Sequence, residues 1–315
     1  MARPFVLTER DLNILYSLAQ VRYLTVQHVQ WLHWHSLWRA AERAAREAGV
    51  VNRRPKKTYE RLAVMAERGL LRSIQRTVDR AATLYHRLPN CLSLTQAGAE
   101  LLAAHRDLPR EGLWYDERAT RSVQTLEHSL GIGAFYAALR AELEYRGRRL
   151  DAWAADHVLC TDYDSVAVAS VGHPLPIIPD GTFMLDGTRF FVEIDRGTSR
   201  SEQWRKKALA YDVYGRDPRL EARYGVRSFV VLVVAPTAAR TLSIARTIAA
   251  VHSGVSHAYR FLTEDRVHPF SIRRRWQRME RVTLARPGRS GADALPTVTL
   301  SDDVLWTPQP GEQTG

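Results

Sequence analysis

Three acidic residues stand where neighbouring β-strands are expected to meet. Asp186-Gly187 separates two apolar stretches, a pattern that predicts a tight hairpin. The hairpin would place Glu193 and Asp195, which share one face of the returning strand by alternation, beside Asp180. Clustered carboxylates repel one another and are costly to bury, and a divalent cation relieves both problems. The sequence therefore predicts a Mg²⁺ site with Asp180, Glu193 and Asp195 as ligands, completed by water and phosphate oxygens.

The two acidic segments resemble the motif of the PD-(D/E)xK nuclease superfamily, carried here by Pro179-Asp180 and Glu193-Ile194-Asp195. Asp195 stands in the place of the motif's lysine, which argues for lost activity. Some members of that superfamily take the lysine from the following helix, so the resemblance implies this role for Lys207, on the helix expected over residues 201–214. There it would position the attacking water and offset developing negative charge, while the metal lowers the pKa of that water. The catalytic residues implied are Asp180, Glu193, Asp195 and Lys207.

The same residues also fit a structural role, which the sequence leaves open. Pro179-Asp180-Gly181 is a common turn sequence. Glu193 and Asp195 could pair with Arg196 or Lys207 in an ion network that performs no chemistry.

Positive charge is concentrated in the first third of the 315-residue chain, whose formal net charge is +11. Residues 1–110 contain 18 Lys and Arg against nine Asp and Glu, whereas the remaining residues contain 27 against 25. A local excess of this kind indicates a polyanionic partner, and nucleic acid is the usual one.

The basic region is expected to fold as a winged helix-turn-helix. A helix is predicted over residues 55–68, and residues 70–75 and 84–88 are predicted as two short strands. The expected order of elements is helix, helix, helix, strand, strand, helix, which is the order of a winged helix-turn-helix. In such a domain the third helix lies in the major groove of DNA, and the two strands form a wing that contacts phosphates or the minor groove. The helices are expected to begin at threonine N-caps, namely Thr8, Thr25 and Thr95. The residues expected to contact double-stranded DNA are Arg53, Arg54, Lys56, Lys57, Arg61, Arg68, Arg72 and Arg76.

The second part of the chain combines helices with strands, so the fold class expected is α+β. A long amphipathic helix is predicted over residues 122–146, and the last helix over 238–251. The strands are predicted over residues 150–159, 177–185, 190–195 and 229–234. These elements fit a restriction-endonuclease-like α/β domain with a mixed central sheet. The expected organisation is a winged-helix domain over residues 1–107, the nuclease-like domain over 119–286, and a loose tail over 287–315, which is rich in Gly, Pro, Ser and Thr.

The chain as a whole resembles the replication-relaxation family of bacterial plasmid and mobile-element proteins, over roughly residues 8–235. Besides the acidic segments and Lys207 with Tyr211, the resemblance is carried by Leu7-Thr8-Glu9-Arg10-Asp11, Leu126-Glu127-His128 and the run from Phe191 to Thr198. It implies a DNA-binding role in plasmid replication or its control.

The remaining features set limits on location and partners. Cys91 and Cys160 form no zinc-ligand spacing or disulfide framework, which favours a reducing, cytoplasmic environment. The first residues have no apolar run typical of a signal peptide, and the longest apolar run, residues 229–235, is too short to span a bilayer. Winged helices often form homodimers, although no heptad pattern marks an interface in this sequence.

Three functions remain open from the sequence. The first is a DNA-binding regulator or replication accessory factor whose second domain does not cut. The second is a Mg²⁺-dependent endonuclease targeted by its winged helix. The third makes the winged helix a protein-docking surface.

Overall fold

The computed structural model shows a mixed α/β protein that divides into two compact units, Met1–Ala141 and Glu142–Gly315. The predicted combination of helices with a mixed sheet is confirmed. The residues that the structure describes are 5–34, 39–40, 44, 56–74, 91–110, 113–115, 123–252, 257–274, 276–282 and 297–305.

The first unit combines helices with a three-stranded antiparallel sheet, in the order β1-β3-β2. In chain order its elements are α1 (Glu9–Val21), β1 (Tyr23–Thr25), α2 (Val26–His33), α3 (Lys56–Glu67), β2 (Leu71–Ile74), β3 (Cys91–Leu94) and α4 (Gln96–Arg106). The predicted threonine caps are confirmed. The side chains of Thr8, Thr25 and Thr95 each accept a hydrogen bond from a backbone N–H of the first turn of α1, α2 and α4.

The sheet of the first unit differs in detail from the prediction. The strand predicted over residues 84–88 lies outside the described residues. The strand that pairs with β2 is β3, which the sequence pattern did not reveal. On α3 the buried side chains are Thr58, Leu62 and Met65.

The helix α5 (Val123–Tyr145) confirms the long helix predicted at this point. Most of it groups with the first unit, because the boundary between the units follows Ala141. Its residues Leu126 and Leu130 pack with Tyr23 and Cys91 in a buried apolar cluster. The sequence assigned the whole helix to the second domain.

The second unit is built on a seven-stranded mixed sheet. In chain order its elements are β4 (Asp151–Ala155), α6 (Asp156–Leu159), β5 (Ser165–Val166), β6 (Leu175–Pro176), β7 (Gly181–Leu185), β8 (Thr188–Ile194), α7 (Ser201–Tyr214), α8 (Pro218–Tyr224), β9 (Phe229–Ala235), α9 (Ala238–Ala249), β10 (His257–Thr263), β11 (Trp276–Val282) and β12 (Thr297–Asp303). The order across the sheet is β12-β11-β10-β9-β8-β7-β4, and β5 and β6 form a separate pair. The central strands β8, β9 and β10 are parallel, and the outer pairs are antiparallel.

Two expectations about this sheet are wrong. The segment 287–315 was expected to be loose, but within its described part, residues 297–305, β12 pairs with β11 along its full length. The strand predicted over residues 150–159 ends at Ala155, where the short helix α6 begins. The strands β10 and β11, which the sequence pattern did not reveal, lie between β9 and β12.

The core of the second unit lies between the parallel strands and the helices α7 and α9. Phe191, Val231 and Phe261 from three neighbouring strands pack with Tyr214 and Ile248, and all five side chains are almost completely buried. Burial of this apolar surface fixes α7 against the sheet beside β8. No helix in the described part of the chain combines the length and the apolar character needed to cross a bilayer.

Candidate functional site

The predicted hairpin positions the acidic residues. Asp186 and Gly187 both have positive φ, 51° and 74°, and form the two-residue loop between β7 and β8. This is the backbone requirement of the tight turn that Asp-Gly favours. The resulting register pairs Gly181 with Val192, which brings Asp180 and Glu193 together at adjoining positions.

Asp180 is fixed by backbone hydrogen bonds on both sides. Its N–H donates to Val192 O (2.9 Å), and its carbonyl accepts from the N–H of Asp156 (3.0 Å). Its carboxylate oxygen Oδ2 accepts from the N–H of Ile194 (2.7 Å). The next residue, Gly181, begins β7, and a Cβ there would lie 2.9 Å from the Trp153 ring. A larger residue at this position would therefore crowd the Trp153 ring, and the backbone hydrogen bonds place Asp180 beside the sheet instead of in an isolated turn.

Glu193 receives two side-chain hydrogen bonds from α7. Lys207 donates from Nζ to Oε2, and the Tyr211 hydroxyl donates to Oε1 (2.6 Å). Glu193 is 1% exposed, whereas 45% of the Lys207 side chain is exposed. Lys207 and Tyr211 face Glu193 together because they lie one helical turn apart.

The charges of this group are strongly coupled. Burial raises the pKa of Glu193, the negative charge of Asp180 raises it further, and the interactions with Lys207 and Tyr211 oppose the change. Burial lowers the pKa of Lys207, but Glu193 and Asp180 outweigh it, so the net pKa is raised and the ammonium is charged. Burial and the charge of Glu193 raise the pKa of Tyr211, so its hydroxyl stays protonated as a donor. Asp180, Glu193 and Lys207 thus form one electrostatic unit.

Asp195 adds its charge to those that raise the pKa of Lys207, but its carboxylate is bound by other residues. Arg240, from the first turn of α9, contacts both of its carboxylate oxygens, at 2.7 Å from Nε and 3.0 Å from Nη2. The Trp204 indole (3.2 Å) and the Gly197 N–H (3.0 Å) also donate to it. Burial raises the pKa of Asp195, but the hydrogen bonds from Arg240 and Trp204 outweigh burial, so the net pKa is lowered. The expectation that three carboxylates converge is wrong, because Arg240 binds the third carboxylate, that of Asp195.

The ion-network alternative is confirmed in part. Glu193 pairs with Lys207 as that alternative proposed, but Arg196 contacts Glu264 instead of either site carboxylate. Arg240, the residue that holds Asp195, lies 45 residues away along the chain and gave no signal in the sequence.

The residues present fit a two-carboxylate Mg²⁺ site better than the three-carboxylate site expected. One or two carboxylates, with water and phosphate oxygens, are the usual protein ligands of Mg²⁺. Asp180 and Glu193 supply such oxygens, and Lys207 stands beside them as the resemblance to the nuclease motif implied. Each Glu193 oxygen already accepts one hydrogen bond and keeps a second lone pair, so a cation could bind there beside the contacts of Lys207 and Tyr211.

Arg61, expected to contact DNA, is held inside the first unit. Its Nε donates to Asp11 Oδ1 (2.8 Å), its Nη2 contacts Asp11 Oδ2, and Nη2 also donates to Val6 O (2.7 Å). Asp11 is fully buried, and its other contacts are to the N-cap Thr8. Burial raises the pKa of Asp11, but hydrogen bonds from Arg61 and Thr8 outweigh burial and lower it. Arg61 is a structural residue that ties α3 to the start of α1.

The other predicted DNA contacts occupy different environments. Lys56 and Lys57 are exposed in the first turn of α3. Arg68 is exposed and lies over the Phe5 ring at 5.5 Å, and Arg72 is half-buried on β2. The three that lie outside the described residues are Arg53, Arg54 and Arg76.

Comparison with known proteins identifies the family. Residues 15–230, more than half of the chain, match the replication-relaxation family. No curated protein and no solved structure matches the chain. The match covers α3 and its basic first turn as well as Asp180, Glu193 and Lys207. The chain therefore belongs to the replication-relaxation family, which indicates a role in replication-related DNA processes.

Proposed function

We propose that this protein binds double-stranded DNA through its first unit and acts in the replication of plasmid or mobile-element DNA, or in its control. Family membership supports the process, and the concentration of positive charge in residues 1–110 supports the polyanionic partner. The order of α1, α2, α3, β2, β3 and α4 agrees with a winged helix-turn-helix.

The observation that carries this proposal is the exposed basic first turn of α3. The Lys56 side chain is 89% exposed, and Lys57 beside it is exposed as well. Residues at the N-terminus of a recognition helix are those that reach the major groove. Lys56 contacts Glu60 at 3.4 Å, but both side chains are largely exposed. An exposed ion pair of this kind is weak, so breaking it to bind DNA would cost little free energy.

The test is duplex binding by the Lys56→Ala/Lys57→Ala variant, measured by fluorescence anisotropy over a series of salt concentrations. If both lysines contact phosphates, affinity falls about tenfold or more, and the slope of log K against log salt becomes shallower by about 1.8. Arg205→Ala/Arg227→Ala removes the same charge from exposed positions of the second unit and is the matched control. Unchanged affinity in the lysine variant, or an equal loss in the control, contradicts the proposal. Unchanged affinity would favour the protein-docking alternative.

A second candidate function is metal-dependent DNA cleavage, favoured by the grouping of Asp180, Glu193 and Lys207. Asp180 and Glu193 would hold Mg²⁺ together with water and phosphate oxygens. The bound metal would supply a water of lowered pKa and stabilise charge on the phosphate. The Lys207 ammonium, half-exposed beside Glu193, is available to orient that water and to offset negative charge.

Incubation of supercoiled plasmid with the protein and Mg²⁺ or Mn²⁺ tests this candidate. Nicking or linearisation should disappear in Asp180→Ala and Glu193→Ala and persist in Asp265→Ala, a control that removes an exposed carboxylate of the same unit. If the protein binds duplex DNA but cleaves none with either Mg²⁺ or Mn²⁺, the cleavage candidate is contradicted and DNA binding is left as the function of the chain.

A further inference from the structure

Three further side chains with metal-binding atoms meet inside the second unit. Asp212 lies in the last turn of α7, His252 follows α9, and His257 is the first residue of β10. One ligand atom from each lies within 4.8 Å of the others, and all three residues are buried. Within the part of the chain that the structure describes, this is the one group of three His, Cys, Asp or Glu residues that meets this condition.

The spacing of these atoms is close to that of a tetrahedral metal centre. Zn²⁺ binds His nitrogen and Asp oxygen at about 2.0–2.1 Å, which places tetrahedral ligand atoms about 3.3 Å apart. The Nδ1 of His252 lies 3.1 Å from Asp212 Oδ1. The third ligand atom is near enough to close the site with a small side-chain movement. Two imidazoles and one carboxylate suit Zn²⁺, whereas Mg²⁺ prefers oxygen ligands.

A buried hydroxyl provides an independent indication of a ligand. Tyr259 is 2% exposed, and its hydroxyl has no hydrogen-bond partner among the described residues. Its ring lies 5.1 Å from that of His252 and 5.2 Å from that of His257. A buried hydroxyl without a hydrogen-bond partner is costly, and a water molecule bound to a metal ion between these rings would be an acceptor for it.

The surroundings hold the three side chains in place. The Arg216 guanidinium contacts the other oxygen of Asp212 at 3.2 Å, which leaves Oδ1 directed to His252. The His257 ring stacks on Phe229, with centroids 4.8 Å apart. Such contacts behind the ligands orient them and raise metal affinity.

We propose that Asp212, His252 and His257 bind one Zn²⁺, beside the ring of Tyr259. The ion would join the end of α7, the end of α9 and the start of β10, and would therefore stabilise the second unit. This site differs from the Asp180–Glu193 pair in its nitrogen ligands, and it depends on neither DNA binding nor cleavage.

The test is zinc binding by the full chain, purified without a histidine tag and freed of metal with a chelator. Calorimetric titration with Zn²⁺ should give one ion per chain, and Zn²⁺ but not Mg²⁺ should raise the melting temperature. His252→Asn and His257→Asn should each weaken binding by at least about 100-fold, since even changes behind the ligands cost 10–100-fold. His173→Asn, which replaces an exposed histidine of the same unit, should bind as the wild type does.

The proposal is overturned if the folded wild-type chain binds no stoichiometric Zn²⁺, or if both histidine variants bind it as tightly as the wild type. Should either variant fail to fold, X-ray absorption of the wild-type zinc complex gives a separate measurement. Two imidazole ligands per zinc support the site, and fewer than two refute it.

Discussion

Replacing Asp195 by alanine would leave the Arg240 guanidinium without the carboxylate that two of its nitrogens contact. The Asp195 side chain is completely buried, and 20% of the Arg240 side chain is exposed. The change also removes the acceptor of the buried Trp204 indole N–H. Asp195→Ala therefore tests the assignment of this residue to a structural ion pair rather than to a metal site.

The expected loss of stability follows from these contacts. Breaking a buried ion pair from one side costs about 3–5 kcal/mol, and the partial exposure of Arg240 places its share near the lower end. The unsatisfied indole adds about 1 kcal/mol or more. We expect Asp195→Ala to lower the free energy of unfolding by about 3–5 kcal/mol, and Asp195→Asn, which keeps the shape and one acceptor, by about 1–3 kcal/mol.

Urea unfolding followed by circular dichroism measures both losses, and the Arg240→Ala variant completes a double-mutant cycle with Asp195→Ala. The coupling energy should be about 2 kcal/mol or more, because the two side chains contact each other directly. A loss below about 1 kcal/mol for Asp195→Ala, or additive effects of the two changes, would refute the structural assignment.

The ion pair also predicts a dependence on pH. Because the net pKa of Asp195 is lowered in the folded chain, its charge stabilises the fold above the unfolded-state pKa of about 3.9. That stabilisation is lost as the pH falls through the lowered folded-state pKa. The stability difference between wild type and Asp195→Asn should therefore be constant near neutral pH and shrink below about pH 4.

Two further predictions concern Arg61 and Tyr211. Arg61→Ala should destabilise the protein by about 2–4 kcal/mol in urea unfolding, because it leaves the buried Asp11 carboxylate without its cation; a change below about 0.5 kcal/mol would restore Arg61 as a candidate DNA contact. Tyr211→Phe should cost about 1–3 kcal/mol, because Glu193 Oε1 loses its 2.6 Å hydrogen bond inside the core; equal stability of the two proteins would show that water replaces the hydroxyl.

Local features of the sequence were sufficient to predict many elements. Thr8, Thr25 and Thr95 mark helix starts because a threonine side chain caps the backbone N–H groups two or three residues ahead. Asp186-Gly187 marks the hairpin because these residue types tolerate the positive φ that the turn requires. From that turn the register of β7 and β8 follows, and with it the meeting of Asp180 and Glu193.

Partners distant in sequence were decided by the tertiary structure alone. Asp195 was expected to share a face with Glu193. The parallel pairing of β8 with β9 instead brings it close to Arg240, on the helix α9 that follows β9. Arg61 was expected to contact DNA, yet it pairs with Asp11, 50 residues earlier in the chain. In the same way, the composition of the segment that contains β12 is typical of a loop, and the sequence did not predict a strand there. The strand is formed by pairing with β11. Caps and turns depend on contacts within a few residues, whereas the partner of a buried charge or an edge strand depends on how the whole chain packs.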